Sequence, residues 1–208
     1  MGRRGPKPIK SELIARAALE LFVERGVKGA TTRAIARRAR STEASLYRHF
    51  TGKDDLARQV LDRCLESFGE KIERGLDGVA GPQERLRAFV RAYVAYARSH
   101  PLEHSFIQQS HLVPPNGKTE MIPRPRQILT DILSDGQASG IFSSVAPRVL
   151  VPFIAGGLAR ASRAWESSED EADLDSWGRA LCEVVDRTAS RPAAKPSVSH
   201  VGGSHDIS

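Results

Sequence analysis

Residues 32–50 read TRAIARRARSTEASLYRHF. Within this stretch Ile35 and Ala39 stand four apart and share one face of a helix, and Ala36 is small enough to sit where a second helix crosses. Arg40-Ser41 interrupts the pattern. Thr42 then opens a second short helix through Phe50, whose Leu46 points back into the core. The spacing predicts two short helices joined by a sharp turn, with Glu43, Ala44, Ser45 and Tyr47 around the exposed face of the second. Such a pair is built to place its second helix in the major groove of a duplex.

The flanks agree with this reading. Upstream, Leu13, Ile14, Ala17, Ala18, Leu21 and Phe22 recur at helical spacing from Ser11 to Arg25, with Ser11 suited to the N-cap and Gly26 to the terminator. Thr31 or Thr32 can cap the second helix. Downstream, Thr51-Gly52 breaks the chain before Lys53 starts a longer fourth helix. The opening ten residues carry Arg3, Arg4, Lys7 and Lys10 among Gly and Pro, and read as a flexible basic arm. Residues 1–63 hold fifteen Lys and Arg against seven Asp and Glu, an excess of eight. The net charge of the whole chain is +6, which leaves −2 for the rest. The positive charge is gathered where phosphates would be met.

Beyond the fourth helix the periodicity stays helical, and the expected class is all-α. Glu84 to Arg98 forms one segment. His100-Pro101 opens another that runs to about Leu112, and Val113 to Arg126, with four prolines and a glycine, is a loop or at most a turn of helix. Ile128 to Leu133 mark a further helix closed by Gly136 to Gly140. Val149 to Trp165 is strongly apolar, with Pro152 implying a kink or a start near Leu150. Glu166 to Asp173 is an acidic loop, and Leu174 to Thr188 the last helix. The expected organisation is an arm at 1–10, a helix-turn-helix unit at 11–58, a helical regulatory and dimerisation unit at 59–189, and a disordered tail at 190–208.

Several classes of function are disfavoured. No apolar run approaches the roughly twenty residues of a membrane span, and a cytoplasmic protein is expected. Cys64 and Cys182 form no metal-ligand or redox motif. His104 and His111 share a helical face, but His100 precedes a proline and no carboxylate cluster completes a site. No metal and no cofactor are expected.

Taken together, Leu19-Glu20-Leu21-Phe22, Glu24-Arg25-Gly26, Thr31-Thr32, Ile35-Ala36, Ser45-Leu46-Tyr47-Arg48-His49-Phe50 and Lys53 resemble, in order and without a gap over residues 11–58, the N-terminal domain of the TetR family of bacterial repressors. Gly136-Gln137 with Gly140 and Phe142, and the turn at His100-Pro101, resemble later features of that family. One position departs: the family usually carries Gly then an apolar residue in the turn, where this chain has Arg40 and Ser41. A left-handed Arg40 would cost about 1–2 kcal/mol, and the turn is expected to be altered or looser.

The resemblance implies that Thr32, Tyr47, His49 and Lys53 bond phosphates, which suits helix N-termini and a cation. It places Arg33, Glu43, Ala44 and Ser45 toward the bases. Arg33 could fork onto guanine, Glu43 accept from cytosine and Ala44 touch a thymine methyl. Arg3 and Arg4 could enter the minor groove. One module offers few contacts, so a homodimer on a palindromic operator is expected. The interface candidates lie on the last two helices: Phe153, Gly157, Leu158, Ala161, Leu181 and Val185, paired as a four-helix bundle, as in the family. Helices between Glu84 and Ser139 would enclose a pocket for a small-molecule effector, with Tyr93, Tyr96, Phe106, Gln109 and Trp165 as lining candidates. A ligand-responsive repressor is the expected function. The rivals are a helical enzyme, for which no catalytic motif is present, and an interaction module that no longer reads DNA.

Overall fold

The apolar stripe from Ile14 to Phe22 forms the buried side of α1 (Lys10–Gly29) in a computed structural model of the chain, which describes residues 10–109, 124–166 and 174–190. At Gly26 the backbone turns left-handed, with φ of 69°, and the regular helix ends there as the glycine predicts. α2 (Thr32–Arg38) and α3 (Glu43–His49) follow, each seven residues long. α4 (Lys53–Leu76) is a long helix that belongs to two cores at once. Its first half supplies Leu56, Ala57, Val60 and Cys64 to the cluster around α1, Ile35 and Leu46. Its second half supplies Phe68 and Ile72 to a larger cluster shared by the remaining helices.

That larger cluster is organised around α5 (Pro82–Ser99), which buries Leu86, Phe89, Val90, Tyr93 and Tyr96. α6 (Pro101–Gln108) starts at the expected proline but closes at Gln109, whose N–H donates to the carbonyl of Phe106 at 3.0 Å. The expected extension to Leu112 lies outside the described residues. α7 (Arg124–Ala138) takes its first turn from the end of the stretch expected to be loop or at most a turn of helix, with Pro125 buried in it, a position that needs no amide proton. α8 (Pro147–Glu166) also starts on a proline, earlier than expected, and continues through Pro152, which lies on its exposed side. α9 (Leu174–Ala189) completes the described chain. Among the described residues the secondary structure is helical, apart from one bridge between Phe142 and Ser190.

Two local devices set the regulatory helices in place. A Cβ on Gly136 would come within 2.0 Å of the Phe142 ring, so the glycine is what lets the chain fold back over the end of α7. The Gln137 side chain donates to the carbonyls of Ser143 and Val145 and holds that turn. At the other end of α7, Arg124 lies over Gly69 of α4, with its guanidinium on Glu66 at 2.8 Å and on Glu73 at 2.6 Å. A Cβ at Gly69 would meet Arg124 Cδ at 2.9 Å.

Candidate nucleic-acid interface

The turn between α2 and α3 is set by hydrogen bonds rather than by a glycine. Thr31 caps α2 by accepting from the Ala34 amide at 3.1 Å, and Thr42 caps α3 by accepting from the Ser45 amide at the same distance. Between them the Arg40 N–H donates to Arg37 O at 3.1 Å and the Ser41 N–H to Ala36 O at 2.9 Å. This pair of bonds is the Schellman closure of a helix, and its left-handed residue is Arg40 with φ of 50°. The expected loosening of the turn does not occur. The chain keeps the geometry that glycine would favour and bears the conformational cost, about 1 kcal/mol.

The two helices are pinned by Ile35 and Leu46, both fully buried, with Ala36 at the crossing. Their N-termini are tied directly: the Thr32 hydroxyl donates to Glu43 Oε2 at 2.8 Å. Next along each helix, Arg33 and Ala44 are both exposed. On α3 the exposed residues Ala44, Tyr47 and Arg48 fall at spacings of three and four and form one outward stripe, with Tyr47 55% exposed. His49 is exposed at its end. Arg48 and Thr42 join this surface although the sequence reading assigned them no role there; the three- and four-residue spacing from Ala44 was the available signal for Arg48.

Three expected contacts change character. Ser45 is 1% exposed and faces the core, so it cannot reach a base from this conformation. Glu43 is half-buried and engaged by Thr32, which makes it a strut between the helices. Lys53 turns its ammonium onto the carbonyls of Ala30 at 3.0 Å and Lys28 at 3.3 Å, where it neutralises the negative end of α1. Arg33, Arg37 and Arg40 are exposed, while Arg38 pairs across to Glu24 of α1 at 2.9 Å. Arg25 and then Arg38 hold the Glu24 carboxyl below its ordinary range by hydrogen bonding. Arg3 and Arg4 lie outside the described residues.

The expected pocket residues are used differently. Phe106 is fully buried in the α1 cluster, stacked on Phe22 with ring centroids 5.5 Å apart. Tyr96 is also fully buried, and its hydroxyl donates to the Cys64 carbonyl at 3.2 Å. Tyr93 ends in a polar triad with His104 Nε2 at 3.1 Å and Gln108 Nε2 at 2.9 Å. Burial, with the charge of Arg163, lowers the His104 ring to about 4, so the imidazole is neutral at pH 7. Gln109 is half-buried beyond this triad, and the Trp165 side chain lies outside the described residues. Of the interface candidates, Phe153 is 68% exposed and Gly157 open, Ala161 and Leu181 are half-buried, and Leu158 and Val185 point into their own core. The exposed α8 and α9 faces instead show Val149 and Val184.

Against this geometry, residues 14–60 match the model of the tetR family of bacterial regulatory proteins, and residues 79–166 that of the tetracyclin repressor-like C-terminal domain. The repressor KstR2 of Rhodococcus jostii is 33% identical over 144 residues, covering 65% of this chain and 68% of its own. The chain belongs to the tetR family. As a tetR-family protein it is a DNA-binding transcriptional regulator and not an enzyme. The activator FasR of Mycolicibacterium smegmatis is 27% identical over 177 residues, 84% of this chain and 80% of that one. Among solved structures, AibR in complex with isovaleryl coenzyme A and operator DNA superposes with a TM-score of 0.69 at 21% identity, over 85% of this chain and 97% of its own. In this tetR-family fold, no described helix is long and apolar enough to cross a membrane.

Proposed function

We propose that the protein is a cytoplasmic repressor that binds a palindromic operator as a homodimer and is released by a small-molecule effector. The observation that carries the reading is the outward stripe of Ala44, Tyr47 and Arg48 on α3, with Arg33 exposed on the first turn of α2. Capped helices and a turn closed by backbone hydrogen bonds hold this stripe in place. Arg33 is the base reader, its guanidinium suited to the paired acceptors of guanine. Tyr47, Arg48 and His49 anchor the duplex backbone, and Arg3 and Arg4 follow the strand outward. Lys53 contributes as the cap that fixes α4 under the reading helices.

Pairing of two subunits rests on Phe153 and Gly157 of α8, joined by Val149 and by Val184 of α9, since these apolar positions have no cover in one chain. The functional division is residues 11–58 for reading DNA and 59–189 for pairing and regulation. An effector preferring a state with mis-spaced recognition helices weakens DNA binding by its differential affinity, about 1–3 kcal/mol. An acyl thioester of coenzyme A, the ligand class of AibR, is the first to test.

Selection of bound sequences from random DNA by the purified full chain is the direct test. Recovery of an inverted repeat supports the reading, whereas sequence-independent retention would sink it. Arg33→Ala is expected to relax preference at one base pair by about 1–3 kcal/mol and leave the other positions unchanged.

A further inference from the structure

Along the outer side of α5, where α9 packs against it, runs an open groove of about 1100 Å³. Its α5 wall carries Arg87, Arg91 and Arg98 on one face, and between the last two lie Val94 and Ala95. Its α9 wall carries Arg179, Cys182 and Arg187. Two acids also line it: Asp186 accepts from Arg87 through Oδ2 at 2.6 Å while its buried Oδ1 has no partner among the described residues, and Glu183 accepts from Arg187 at 2.6 Å. Arg91 and Arg98 have no ion-pair partner among the described residues. They stand roughly 10 Å apart along the helix, at either end of an apolar floor. At the groove wall Ser143 is more than nine-tenths buried, and its hydroxyl has no hydrogen-bond partner among the described residues. A buried hydroxyl left without a partner is costly, and a ligand acceptor would satisfy it.

We propose that the α5–α9 groove is a binding site for an amphiphilic organic anion, its apolar body on Val94, Ala95 and Cys182 and its carboxylate or phosphate held by Arg91 or Arg98. Guanidinium groups match both anions in geometry and are lightly hydrated, so they suit a half-open site with an apolar floor. The site is separate from the apolar dimer face. On α9, Arg187 and Thr188 of the lining stand on the Val184 side, whereas Arg179, Cys182 and Asp186 point to the opposite side toward α5, which leaves the α5 wall of the groove open when the Val184 face is covered. The inference does not rest on the DNA-reading surface, since it involves α5 and α9 alone.

The test is isothermal titration of the full chain with octanoate and with octyl phosphate. Octanol and octyltrimethylammonium serve as uncharged and cationic counterparts. Saturable binding of one or both anions is expected, with the preferred one identifying the headgroup. Binding should weaken roughly tenfold or more in R91E/R98E. R91K/R98K keeps the charge on the wall and should retain most of it. Val94→Trp, which fills the floor, should also weaken binding, and bound anion should slow methanethiosulfonate labelling of Cys182. Circular dichroism of each variant separates loss of binding from loss of fold. Absence of saturable binding by either anion, equal binding of octanol, or affinity indifferent to R91E/R98E in a folded variant would overturn the site. Selection of operator DNA is unaffected by these outcomes, so the two readings fail separately.

Discussion

The reading unit and the regulatory unit satisfy their polar groups in opposite ways. In the first, the helix ends and the turn are closed within a few residues: Thr31 and Thr42 cap their own helices, and the Arg40 and Ser41 amides close the turn on Arg37 and Ala36. In the second, partners come from far along the chain. Tyr93 meets His104 and Gln108, Arg124 of α7 grips Glu66 and Glu73 of α4, and Arg87 of α5 meets Asp186 of α9. Local satisfaction fixes the geometry of the turn and of the two helix starts from their own residues. Long-range satisfaction makes a body whose helices share polar bonds, buried at Tyr93 and His104, which protons and ligands can disturb.

The contrast can be broken most forcefully at Leu46. It is fully buried between α1, α2 and α4, and Leu46→Ala is expected to cost about 2–5 kcal/mol in urea unfolding. A loss below about 1 kcal/mol would show that the reading unit is not held by this contact.

His104 sharpens the other side. Above pH 6.5 the ring is neutral in both folded and unfolded chains. As pH falls from 6.5 toward 4, the unfolded chain takes up a proton that the buried ring refuses, so stability drops through that window. The full swing is about 3 kcal/mol. His104→Gln keeps a hydrogen-bonding group beside Tyr93 and should flatten unfolding free energy against pH over this range by about that amount. Parallel profiles for the two proteins would contradict the assignment.

The smallest effect is at the turn. Arg40→Gly should stabilise the protein by about 1 kcal/mol, because glycine adopts a φ of 50° without the Cβ penalty. A destabilised variant would mean that the Arg40 side chain contributes more than its backbone costs.

Legibility in the sequence followed the range of the interactions. The helix-turn-helix was readable because its determinants, from Ile35 and Ala36 to Leu46, lie within twelve residues and at fixed spacing. The same spacing misled at Ser45, assigned to the exposed face although α3 turns it inward beside Leu46. Glu43 is placed at a base and Lys53 at a phosphate in the sequence because Thr32, Lys28 and Ala30 come near them only through the fold. The same limit applied to the aromatic residues of the regulatory unit. An apolar stripe does not say which core it will enter, and Phe106 went to the α1 cluster while Tyr93 and Tyr96 stayed with α5. The start of α7 is only bracketed by the sequence, because four prolines and a glycine between Val113 and Arg126 signal a break with room for at most a turn of helix, and Pro125 serves as a first-turn residue there.

The stacking of Phe106 on Phe22 has a practical corollary for anyone wishing to cut the molecule. α6, a helix of the regulatory half, roofs α1, and Arg16 reaches up to Glu103 at 2.9 Å beside it. A fragment ending soon after the start of α4 would carry the reading helices away without their roof and leave the Phe22 ring facing water. The severed head would be less stable than the same residues in the intact chain, so a soluble minimal DNA-binding piece needs a polar residue at position 22 or a graft that replaces α6.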